Sequence, residues 1–206
     1  MSLELNQTTF QCENGALAAV VLRQQLYQQL MQHRRGELIE ESLALMIASL
    51  HGGSGAMPAW LGLGEGRYQH LIASHFPALD LSQWPPQPPR PVDLTRRDEW
   101  QEVLTLLHQG RSGDSEAELW LAEIVAIGCQ ANDHLWSDLG LWSRADLSTL
   151  MVRHFRPLAE RNSRDMKWKR FLYKQLCEAE GIYTCRAPSC EICTDYANCF
   201  NLNLKE

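Results

Sequence analysis

The chain lacks most of the marks that would place a protein outside the cell or in a membrane. No apolar run approaches the roughly 20 residues needed to cross a bilayer. Met1-Ser-Leu-Glu-Leu-Asn has no basic start and no apolar stretch behind it, so no secretory signal is expected. Alternating runs rich in β-branched residues are missing, which argues against sheet. Catalytic signatures are missing too. Gly52-Gly53-Ser54-Gly55 has no trailing Lys-Ser/Thr and no strand before it, and no G-x-S-x-G occurs. An ordinary enzyme is therefore not expected. With a net charge of −6 and no reading module, nucleic acid is not an expected partner either. The cysteines number seven, an odd count, and Cys12, Cys129 and Cys177 are scattered through helical surroundings. A secreted disulfide scaffold would be shorter and would pair its cysteines, so the expected compartment is the reducing cytoplasm.

What is present is helical patterning over nearly the whole length. With 206 residues, 45% of them hydrophobic, the chain can bury a core as a single domain, 1–206. Leu17, Val20, Val21, Tyr27, Leu30 and Met31 recur at helical spacing. Leu38 to Leu50 does the same through Leu43, Met46 and Ile47 and stops at Gly52-Gly53. Tyr68 to Phe76 ends before Pro77. Trp84-Pro-Pro-Gln-Pro-Pro-Arg-Pro91 reads as an extended connector. Helical patterns resume at about 96–109, 115–129, 143–156 and 164–180. The expected fold class is all-α: a helical bundle with a C-terminal cysteine-rich metal-binding loop.

The bundle also reads as two three-helix repeats, over 37–110 and 115–181, followed by a cluster-binding segment at 182–206. At an offset of 78, Leu43-Ala44 meets Leu121-Ala122 and Leu61-Gly62-Leu63 meets Leu139-Gly140-Leu141. After one inserted residue, His75-Phe76 meets His154-Phe155. Arg97-Asp98 and Trp100 resemble Arg164-Asp165 and Trp168. A histidine that recurs where only one copy bears cysteines reads as structural, capping a helix C-terminus. His134 has Ala56 as its counterpart and sits in a loop beside Asp133, which makes it the better histidine for an additional metal ligand. The alternative is a surface histidine without a role.

Four cysteines carry the chemistry: Cys185-x4-Cys190-x2-Cys193-x5-Cys199. Thiolates so closely spaced converge on one centre when that centre is a metal or a metal–sulfur cluster. The first three repeat the C-x4-C-x2-C spacing of plant-type ferredoxins. Structural zinc more often uses two C-x2-4-C pairs with a longer spacer, and disulfides are the third reading. Cys177, eight residues before Cys185, reads as a buried small residue or a spare thiolate. Just upstream, residues 153–174 carry a net +6 in an acidic chain. Lys167, Arg170 and Lys174 fall on one helical face, opposite Trp168, Phe171, Leu172, Gln175 and Leu176. Such a face would draw an oxyanion, an anionic cluster or an acidic partner, or would simply be solvated.

The stretch Met166-Lys-Trp-Lys-Arg-Phe-Leu-Tyr-Lys-Gln-Leu-Cys-Glu-Ala-Glu-Gly181, then Cys185, Ala187-Pro-Ser-Cys190, Cys193 and Cys199-Phe200, resembles the NifQ family. A looser likeness runs upstream through His134-Leu-Trp-Ser-Asp-Leu-Gly-Leu141. The resemblance implies a nitrogen-fixation accessory protein whose four cysteines bind an iron–sulfur cluster incorporating molybdenum. It further implies donation of that metal for the nitrogenase iron–molybdenum cofactor, with the nitrogenase iron protein and the NifEN scaffold as partners. A simple iron–sulfur electron carrier and a zinc-stapled interaction module remain the alternatives.

Overall fold

The computed structural model describes residues 2–84 and 96–179, with side chains from residue 17 onward except at Gln83. The proline-rich connector after Trp84 and the segment 182–206 lie outside the described residues. Nine α-helices are described: α1 Ser2–His33, α2 Glu40–His51, α3 Glu65–His75, α4 Arg97–Gln109, α5 Glu116–Gly128, α6 Leu135–Asp138, α7 Arg144–His154, α8 Arg156–Arg161 and α9 Trp168–Ala179. Two short 3-10 turns, Ala59–Gly62 and Leu81–Gln83, complete the set, and no strand occurs among the described residues. The chain is helical, as its patterning foretells.

α2 and α5 form the centre. Both are apolar on nearly every face, which suits a helix surrounded by others. α2 buries every residue from Ser42 to His51, and α5 buries Trp120, Leu121, Ile124 and Val125 among others. α1 packs on α2, and α4 packs on α5. Local chemistry sets the helix starts. Ser115 Oγ accepts the Glu118 amide, and Ser143 Oγ accepts the Asp146 amide while donating to its carboxylate at 2.9 Å. α2 has no such cap at Ile39. Its Glu40 carboxylate instead reaches back to accept the amides of Arg35, Gly36 and Glu37 at 3.1, 2.7 and 3.0 Å.

α1 departs from the sequence expectation. Leu17, Val20 and Val21 are exposed, whereas Leu26 and Leu30 are buried, with Leu22, Tyr27 and Met31 packed at the margin. Among the described side chains the core stripe of α1 therefore begins near Leu22.

Two glycines let loops approach the central helices closely. Gly62 (φ +80) is so close to α5 that an added Cβ would lie 2.2 Å from Ile127 Cδ1. At Gly140 (φ +76) a Cβ would lie 2.7 Å from Ser49 Cβ on α2. The offset of 78 that relates Gly62 to Gly140 also relates Ser49 to Ile127. The first Leu-Gly-Leu loop thus presses on α5 and the second on α2. Only a residue without a Cβ tolerates both the positive φ and the approach.

His75 and His154 are the last residues of α3 and α7. Both are buried and face a glutamate at the start of a central helix. His75 Nδ1 lies 3.6 Å from Glu40 Oε1, and His154 Nδ1 lies 3.6 Å from Glu118 Oε1.

Candidate metal centre

The four cysteines follow α9, so the seating of that helix decides where they emerge. The loop before α9 is closed by a reciprocal clamp. Asn162 Nδ2 donates to Met166 O at 3.0 Å, and the Met166 amide donates to Asn162 Oδ1 at 2.9 Å. The clamp holds Asp165 at φ +49. α9 then buries Trp168, Lys169, Phe171, Leu172 and Tyr173. Trp168 meets Phe171 edge-on at 5.8 Å, and its Nε1 donates to Ser148 Oγ.

Lys169 is the residue that sequence reasoning misplaced. Counted there within a basic run, its side chain is only 6% exposed, and Nζ lies 2.5 Å from Asp138 Oδ2. Its other protons go to Ala131 O and Asp133 O at 2.9 and 2.7 Å. A buried ammonium needs such partners, since desolvation is otherwise too costly. Burial raises the Asp138 carboxyl above its ordinary range, while the Lys169 ammonium pulls it back. One turn on, Tyr173 Oη accepts from Arg96 at 3.0 Å and from Gln130 at 3.4 Å. Burial pushes the pKa of this phenol upward. α9 is thereby pinned to the loop after α5, the loop that carries His134.

His134 opens α6, half-exposed, with its amide donating to Asp133 Oδ1 at 2.7 Å. It stands near the Lys169 end of α9, whereas the cysteines follow the other end. From Lys169 to Ala179 the axis rises about 15 Å, and six residues from there to Cys185 span at most about 20 Å. Ring and thiolates meet only where the chain runs back along α9.

Lys167, Arg170 and Lys174 are each half-buried, and Lys174 reaches Glu178 at 3.4 Å. Neighbouring basic residues are also engaged: Arg153 pairs with Glu41, Arg156 with Glu160, and Arg161 with Gln175. Removing Lys169 from the surface set lowers the charge this region presents. Cys185, Cys190, Cys193 and Cys199 lie outside the described residues. Cys129 is fully buried and a free thiol, and burial pushes it up to about 12, which suits packing rather than ligation. Cys177, expected as a buried small residue or a spare thiolate, is half-buried in the last turn of α9. A cavity of about 510 Å³ beside α3, walled by Trp60, Tyr68, Ile72, Phe76 and Trp84, has no Lys or Arg among the described residues of its lining.

The NifQ family model matches residues 42–201, a span that runs from α2 past the last of the four cysteines. Protein NifQ of Azotobacter vinelandii is 44% identical over 171 residues, covering 79% of this chain and 88% of that one. Protein NifQ of Rhodobacter capsulatus is 38% identical over 152 residues, with 72% and 79% covered. A NifQ homolog of Sinorhizobium fredii is 46% identical over 95 residues, with 46% and 41% covered. No solved structure matches the chain. With more than three quarters of its residues inside the family match, the chain belongs to the NifQ family.

Proposed function

We propose that this chain is a metallochaperone for nitrogen fixation. In this reading it holds molybdenum within an iron–sulfur cluster on Cys185, Cys190, Cys193 and Cys199 and donates it for assembly of the nitrogenase iron–molybdenum cofactor. The observation that carries the reading is the Cys185-x4-Cys190-x2-Cys193-x5-Cys199 spacing directly behind α9, inside the matched span 42–201. Four closely spaced thiols are a donor set suited to soft iron–sulfur chemistry. Lys169 and Tyr173 fix α9, so the segment leaves from a seated base. Lys167, Arg170 and Lys174 bring positive charge to the approach of an oxyanion, and His134 is a nitrogen donor in the loop to which Lys169 ties α9. No turnover is asked of the chain, which acts as a carrier and not as an enzyme. The nitrogenase iron protein and the NifEN scaffold are the acceptors in this reading, and the cytoplasm is its compartment. No described helix is long and apolar enough to cross a membrane.

Metal analysis and absorption of anaerobically purified protein test this. Stoichiometric iron with a brown chromophore is expected, lost on changing any of the four cysteines to Ser and kept on changing Cys12. Exposed charges are individually worth only ~0–1 kcal/mol, so Lys167→Glu, Arg170→Glu and Lys174→Glu are combined. That variant should keep its iron and load less molybdenum at low salt. Iron that cycles reversibly without binding molybdenum would identify an electron carrier, and one zinc in a colourless protein a stapled module. Either result overturns the proposal.

A further inference from the structure

We infer that Glu37, Glu40 and His75 form a second metal site, with no cysteine among its three donors, for one divalent first-row cation such as Zn²⁺, Mn²⁺ or Fe²⁺. The three donor atoms lie within 4.8 Å of one another where the loop after α1 meets the end of α3. His75 Nδ1 is 3.6 Å from Glu37 Oε2 and 3.6 Å from Glu40 Oε1. Those separations are too long for good N–H···O hydrogen bonds, which centre near 2.9–3.0 Å. They match a shared cation: ligands at about 2.0–2.2 Å in a tetrahedral shell stand roughly 3.3–3.6 Å apart.

A second observation points to a ligand independently of the carboxylates. The His75 side chain is 5% exposed, yet its Nδ1 has no hydrogen-bond partner while aimed between them. Burying such an atom unsatisfied is costly, and a metal would satisfy it. Charge agrees, because two carboxylates and a neutral imidazole sum to −2, which a divalent ion cancels. Glu40, fully buried, is held by the three backbone amides described above, the kind of outer support that orients ligands in built sites. Glu37 is 58% exposed, so the site has an entrance. Two oxygens and one nitrogen favour borderline divalent ions over soft monovalent copper.

The other half of the chain supplies a control. Glu118 and His154 repeat the pair at 3.6 Å but have no third donor among the described residues. Asp114, the acid in the preceding loop, is 97% exposed and paired with Arg111. A two-donor pair is structural, whereas the three-donor group is a site.

The test uses the full chain with Cys185, Cys190, Cys193 and Cys199 changed to Ser, so that its outcome is independent of the cluster proposal. Anaerobic titration with Co²⁺ should give one equivalent bound, with visible ligand-field bands and no thiolate-to-cobalt charge-transfer band. Zn²⁺ should displace it. Glu37→Gln, at an exposed position that folding tolerates, should weaken binding by about 100-fold or more, as should His75→Gln. Glu118→Gln and His154→Gln should leave it unchanged. Absence of bound cobalt, a charge-transfer band, or undiminished affinity in Glu37→Gln overturns the inference.

Discussion

At the scale of single residues, the contact between Lys169 and Asp138 ties α9 to the loop after α5. Both side chains are almost wholly buried, so removing one charge strands the other in a medium that cannot solvate it. Lys169→Met should destabilise the protein by about 3–5 kcal/mol. Lys169→Met combined with Asp138→Asn leaves no net charge behind and should recover much of the loss. Urea unfolding of the two single variants and the double variant measures this, and strict additivity would show the pair to be uncoupled. The pair is invisible in the sequence because its members are 31 residues apart and lysine usually marks a surface. Glu40 and Glu118 are more legible. They share the offset of 78, and the histidines recur one residue further on, but only the structure shows that each glutamate faces its histidine.

Among the elements, the long amphipathic helices are legible to within a residue or a few, as with the patterns at 96–109 and 115–129 against Arg97–Gln109 and Glu116–Gly128. Leu135–Asp138 and Arg156–Arg161 are too short to display a period, so the sequence does not announce them. The stripe on α1 misleads because Leu17, Val20 and Val21 continue its apolar spacing and yet are exposed. Loop approach is equally hidden: Leu-Gly-Leu reads as a turn, not as a contact with a distant helix. Gly62→Ala and Gly140→Ala should each destabilise by about 1–3 kcal/mol through positive φ alone. Gly140→Ala should be the worse of the two. A Cβ there meets Ser49 Cβ, fixed to the α2 backbone, while at Gly62 it meets the movable tip of Ile127. Thermal unfolding midpoints of the two variants decide the order, and a more damaging Gly62→Ala would contradict it.

For the molecule as a whole, pH exposes how its histidines are buried. Burial lowers the His154 imidazole below its ordinary 6.5, with Glu118 opposing and Arg153 adding to the shift. Burial, aided by Arg111, lowers His108 in the same direction. The unfolded chain therefore takes up these protons first as the pH falls. Their contribution is fully present above about pH 6.5 and is lost below it, at up to ~1.4 kcal/mol per pH unit for each proton. Urea midpoints should fall between about pH 7.5 and 5.5, and His154→Gln should flatten that decline in part. Equal slopes in parent and variant would remove His154 from the account. The clamp before α9 bears on a different property, the fate of an empty carrier. The contacts described as seating α9, from Asn162 through Ser148, Asp138 and Arg96, all come from residues that precede the cysteines. In the carrier role proposed above, emptying and refilling would leave these described contacts in place, so each cycle would begin from the same scaffold.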